Sequence, residues 1–156
     1  MNTYLLLKSL HILGVVLFLG NIIITGWWKV MADRTKNKHI IAFAQRQVTL
    51  TDYVFTLSGV LLVLVTGIGN TMLHELDYFM IKWLAWGYWL FVASGIIWVA
   101  ILLPVQIKQA RIAKQFSEEE PIPKQYWKLG KLWIVFGVLA TLLPLANLYW
   151  MVFKPI

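Results

Sequence analysis

From Tyr4 to Val30 the chain reads YLLLKSLHILGVVLFLGNIIITGWWKV, a nearly unbroken apolar run. At about 1.5 Å per helical residue it is long enough to cross ~30 Å of hydrocarbon. It nevertheless carries Lys8, His11 and Asn21. An ionisable group at membrane depth costs roughly 2.5 to 3.5 kcal/mol on insertion scales, so it calls for a partner, a cavity or a task. The run lacks a basic leading segment and a small-residue cleavage site, which reads as a retained span and not a removed signal peptide.

The rest of the chain has the same character. Of 156 residues, 60% are hydrophobic and 13% charged, about half the charged share of a soluble domain. That balance indicates one polytopic membrane domain over residues 1–156. The net charge of +7 does not indicate nucleic-acid binding, because basic residues of a membrane protein sort into its loops. Cysteine is absent, which excludes disulfides and thiolate metal sites. No phosphate-binding glycine loop, H-E-x-x-H motif or nucleophile elbow is present.

Four spans are predicted, at about 3–31, 48–74, 79–107 and 129–153. Residues 32–47 and 108–128 read as solvated loops, the second with a helical extension of the third span before Pro121 and Pro123. Lys and Arg concentrate in these two loops and the span ends beside them; only Lys8, Lys82 and Lys154 lie at the other end. Positive-inside sorting therefore predicts both long loops in the cytoplasm and both termini outside, in a bacterial inner membrane. The expected fold is an all-α up-down four-helix bundle. Gly14, Gly20, Gly59, Gly67, Gly87, Gly95, Gly130 and Gly137 read as close-packing positions, and Pro104 and Pro144 as kinks or helix ends.

Helical spacing lines up His11, Gly14, Phe18, Asn21 and Thr25 in the first span. In the second it lines up Asp52, Thr56, Gly59, Val63, Thr66, Asn70 and His74. Such polar stripes must face another helix or a cavity. Candidate binding groups are His11, with Lys8 one turn away, then Asn21, His74, Met80 and Lys82. Each also has a plainer role: His11 bonded to a neighbouring helix, His74 exposed in a loop, Lys8 and Lys82 reaching for the interface. Asp52, with Thr49 and Thr51, has the chemistry of a helix cap. A haem b would suit the polar stripes, since it needs an axial ligand such as His11, an apolar slot and basic partners such as Lys8 or Lys82.

Several segments resemble a known family. YLLLKSLHILGVVLFLGN, TDYVFTLSGVLLVLVTGIG, WVAILLPVQIKQARIA, PIPKQYWKLGKLWIVFG and the closing WMVFKP are similar to predicted integral membrane proteins grouped as a domain of unknown function (2269). A more distant similarity is to the membrane protoporphyrinogen IX oxidases and to the copper-resistance D membrane domain. Its carriers are Lys8, Leu10, His11 and Ile12, then Thr66-Gly67, Lys82, and the tail Val152, Lys154 and Pro155. That resemblance implies His11 as a haem ligand and Lys82 as a functional residue. The oxidases have an Arg opening helix two and a His two residues before the third-helix Lys. This chain has Thr49 to Asp52 and Met80 there.

The sequence reading is therefore a membrane bundle binding haem b through His11 and serving electron transfer or a redox step with a lipid-soluble partner. Two alternatives stand beside it. One is copper held by His11, His74, Met72 and Met80; the other is a cofactor-free structural or accessory subunit. A homodimer is compatible with either.

Overall fold

The computed structural model describes residues 2–77 and 79–155. They form four long helices: α1 (Thr3–Thr35), α2 (Lys38–Leu73), α3 (Lys82–Lys114) and α4 (Lys124–Phe153), each long and apolar enough to cross a membrane. The 33 residues of α1 span about 50 Å, well beyond a ~30 Å hydrocarbon core, so its ends project from it. The helices form the expected all-α bundle. One end holds the termini and the 74–81 connection (the terminal end); the other holds the 36–37 and 115–123 links (the basic end).

The helices run further than hydropathy alone predicts, and the largest correction concerns residues 32–47. This is no loop: α1 continues to Thr35, and α2 begins only three residues later. Lys36 takes a left-handed conformation (φ 54°) that ends α1. The Asn37 side chain then accepts from the N–H groups of His39 and Ile40 at 3.0 and 3.1 Å, capping α2. Ile41, Gln45 and Val48 recur at helical spacing and bury this amphipathic opening of α2. The extension of the third span, expected from sequence, is present and reaches Lys114.

Two π-turns interrupt the ladders. In α2, Leu57 N–H reaches back five residues to Asp52 O; in α3, Leu103 N–H reaches Trp98 O. Asp52 is therefore not a helix cap: it lies inside a continuous helix, at the start of a π-turn. Pro104 follows the second π-turn and does not end α3. Nor does Pro144 end α4. Having no N–H, it leaves the carbonyl of Ala140 without its helical donor, and Ser94 Oγ of α3 donates there at 2.8 Å.

Helices α1 and α2 meet through Gly14 and Gly59. A Cβ on Gly59 would lie 2.7 Å from Phe18 N and 2.8 Å from Gly14 O, so only glycine admits this approach. The polar stripe on α1 faces this seam as expected, with Gly14, Phe18, Asn21 and Thr25 buried. The stripe on α2 is buried from Asp52 to Thr66; Asn70 is half-buried and His74 exposed. Between α3 and α4, Asn147 Nδ2 donates to Gly87 O at 3.0 Å, and Trp86 stacks on Trp150 at 5.9 Å. Packing does not account for all the glycines. Around Gly20, Gly26, Gly95 and Gly137 nothing lies within 4 Å of a Cβ position.

Overpacking a closed interface costs about 1–3 kcal/mol. Gly59→Ala is expected to lower the thermal midpoint of the detergent-purified protein by several degrees, while Gly20→Ala leaves it unchanged or slightly raised. Equal midpoints for the two variants would mean that the α1–α2 crossing does not limit stability.

Candidate polar cleft between the helices

The groups singled out in the sequence occupy separate places. His11 is half-buried on the α1–α2 seam, its Nδ1 3.1 Å from Thr66 Oγ1. The Thr66 hydroxyl donates to Leu62 O, so its oxygen accepts from His11 Nδ1–H, an arrangement that leaves the Nε2 lone pair available. Lys8 and His74 meet around Tyr4: Lys8 Nζ lies 5.7 Å from the ring centre, and the His74 ring stands edge-on at 4.7 Å. His74 Nδ1 is also 2.9 Å from Asn70 O. Met80 is 81% exposed, as is most of Met72. Lys82, exposed at the start of α3, borders a shallow surface dent with Phe79, Trp86 and Trp89. Among the described residues, no three of His, Asp and Glu gather to hold a metal ion.

Asn21 belongs to a different cluster, ten residues and about 15 Å along α1 from His11. Its Nδ2 donates to Asp52 Oδ1 at 3.1 Å and to Thr56 Oγ1 at 2.9 Å. Thr56 Oγ1 donates in turn to Asp52 Oδ1 at 2.9 Å. Asp52 is only 5% exposed. The Gln106 amide and the Trp98 indole approach the same carboxylate from α3. Yet Gln106 Nε2 and Trp98 Nε1, both buried, close no hydrogen bond of regular geometry. From α4, Trp133 Nε1 donates to Gln106 Oε1 at 3.1 Å and orients that amide. All four helices thus contribute to one polar centre.

The two π-turns explain why these side chains converge. Each shifts the helical register by one residue, and Asp52, Thr56 and Trp98 all lie within them. Such turns are frequent at functional sites. The sequence offered a partial signal: Asp52 and Gln106 are polar groups inside apolar segments. No periodicity announces a π-turn, so the sequence carries no signal that brings Trp98 and Trp133 to this centre.

Beside this centre lies a cleft of about 420 Å³. Asp52, Thr56, Trp98, Gln106 and Trp133 form its polar end, and the remaining walls are largely apolar. Ile23 and Trp27 of α1 and Val138 and Leu142 of α4 also line it, and all four are exposed on the outer surface of the bundle. The mouth therefore opens between α1 and α4, onto the face that meets lipid. Gly26, Gly95 and Gly137 line the cleft too, and each has empty space where a side chain would begin. His11, Lys8, His74, Met80 and Lys82 do not line it.

Toward the basic end, a second cluster is closed. Lys29, 1% exposed, donates from Nζ to Asp33 Oδ2 at 2.9 Å and to Tyr126 Oη at 3.1 Å. Tyr126 Oη donates to Asp33 Oδ1 at 2.7 Å. The ammonium also lies over the rings of Tyr126 and Trp133, at 5.0 and 5.6 Å. This triangle fastens α1 to α4. Tyr126→Phe keeps the ring and removes two hydrogen bonds, one of them to a carboxylate. Because leaving buried polar groups unpaired costs about 1–3 kcal/mol, its thermal midpoint is expected to fall below that of the unaltered protein. An unchanged midpoint would show that the triangle carries no net stability.

No curated protein and no solved structure matches this chain. Residues 5–155 match the family described as predicted integral membrane protein (DUF2269). With four membrane-length helices and a match over nearly its whole length, the chain belongs to that family of integral membrane proteins.

Proposed function

We propose that this multi-pass protein, set in a bacterial inner membrane, takes an amphiphilic ligand from the lipid phase into the cleft between α1 and α4. The polar end of the ligand is held at Asp52, Trp98 and Gln106. The observation that carries this reading is the pairing of an open, mainly apolar cleft with one buried carboxyl group, Asp52, in its lining. Buried polar groups are ordinarily hydrogen-bonded, and binding sites typically join apolar walls to a few convergent polar groups. The three cleft glycines support the same reading, since a scaffold would fill that space. Gly137→Phe occupies the cleft without meeting a neighbouring atom at its Cβ. Native mass spectrometry of the protein released from mild detergent is expected to show a small amphiphile bound one to one. Gly137→Phe should lose it, and Gly20→Phe, on an exposed face, should retain it. Indistinguishable adducts in all three proteins would remove the cleft as the binding site.

A haem b at His11 is a second reading, with electron transfer as the role, and one observation favours it. The Thr66 bond presets the tautomer in which Nε2 is free to meet iron. The surroundings fit a haem less well. The His11 ring is pressed against α2, where a Cβ on Gly67 would lie 3.3 Å from His11 Cε1, and the ring does not reach the cleft. None of Met80, His74 or Lys82 makes a described contact with it. A bound haem would supply one-electron chemistry; His11 would hold it. The optical spectrum of the purified protein tests this directly. A Soret band lost in His11→Ala supports haem, and a spectrum with protein absorbance alone rules it out.

A further inference from the structure

We propose that the ligand of the cleft is a cationic amphiphile: an amine or onium centre on an apolar body, its charge paired with Asp52. This deepens the reading above and rests on it. Asp52 is the one ionisable side chain among the residues lining the cleft. The groups that face it are Asn21 of α1, Thr56 of α2, and Trp98 and Gln106 of α3, all uncharged. The nearby ammonium, Lys29 above the Trp133 ring, is already committed to Asp33 and Tyr126. The protein therefore presents a buried carboxyl group without a cation of its own, one that a bound cation would hold ionised.

The hydrogen bonds from Asn21 and Thr56 both end on Oδ1. Among the described residues none of regular geometry ends on Oδ2. Trp98 and Gln106 approach the same group without closing bonds of regular geometry, so it is attended by neutral donors alone and direct charge pairing is left to an incoming cation. The walls suit a cation as well. Trp98, Phe18 and Phe91 line the cleft, and aromatic rings attract an ammonium most strongly when it is desolvated. An anion would meet only the carboxylate's own charge, since the lining holds no Lys, Arg or His. A neutral ligand would leave the carboxylate without a counter-ion. The cation alone meets both the charge and the aromatic walls.

Two probes of equal shape separate charge from fit: tetraphenylphosphonium and uncharged tetraphenylsilane, titrated into the protein in micelles and read by thermal stabilisation. The unaltered protein is expected to bind the phosphonium at least ~10-fold tighter than the silane. That preference should fall to within about 2-fold in Asp52→Asn and persist in Asp52→Glu, while Gly137→Phe loses both probes. The comparison on the unaltered protein decides the matter even where a variant fails to fold. Equal binding of the two probes, lost together in Gly137→Phe, leaves the cleft reading intact and overturns the cationic ligand. If neither binds, or if Gly137→Phe binds both as before, the cleft reading and the cationic ligand fall together.

Discussion

In a hydrocarbon environment a polar group has no water to turn to, so every donor and acceptor within the bundle must find its partner in the protein. This constraint explains the placement of many polar side chains in the four helices. Ser94 is on α3 because Pro144 leaves a carbonyl of α4 without its donor. Thr25, Thr49 and Thr141 return their hydroxyls to carbonyls one turn back in their own helices. Lys29 could not be buried without Asp33 and Tyr126, and those two in turn pair with each other. Where satisfaction is complete, the helices are fastened.

Close packing supplies the rest of the cohesion, and it is unevenly distributed. Along the α1–α2 seam, Gly14 and Gly59 bring backbone against backbone. Between α3 and α4, Gly87 admits Asn147 and Met151, and the Trp86–Trp150 stack closes the terminal end. Lipid tails are as apolar as the side chains, so such fitted contacts, and not exclusion from water, hold the pairs together. Between α1 and α4 the fitting stops short of the middle. The two helices join at the Lys29–Tyr126 triangle and then part around the cleft. The bundle is two tight helical pairs, joined by that triangle, by the Asp52 centre and by the Phe18–Phe91 ring contact.

How much of this the amino-acid sequence revealed depends on the kind of signal. Four apolar runs announce four helices, because length against bilayer thickness is a one-dimensional property. The inward stripes on α1 and α2 were likewise legible from regular spacing, and burial of Phe18, Asn21, Thr56 and Val63 agrees with them. Boundaries were harder. An asparagine cap and one left-handed lysine replace what composition suggested was a long loop, since polar residues at 38–47 mark an amphipathic helix as readily as a solvated one. The site was harder again. It depends on two register shifts of a single residue, at Asp52 and Trp98, that align α2 with α3. Such shifts leave no trace in hydropathy. His11 drew attention as the intramembrane imidazole, yet Thr66 and Gly67 enclose it on one side, and the open space lies a few turns away.

The contrast between the two polar clusters bears on why the second exists. At the basic end, charges of opposite sign are balanced and each donor meets an acceptor, the arrangement in which a buried ion pair is least costly. Around Asp52, α1, α2 and α3 supply four neutral groups and no cation, and two of their donors close no hydrogen bond of regular geometry. A sequence selected for stability alone would replace such a carboxylate with an apolar residue and let a larger side chain take the place of Gly137. Holding Asp52 in the membrane, and keeping empty space beside it, both work against the folded state. These two departures coincide at one cleft open to lipid, which is what a binding site requires and a scaffold does not.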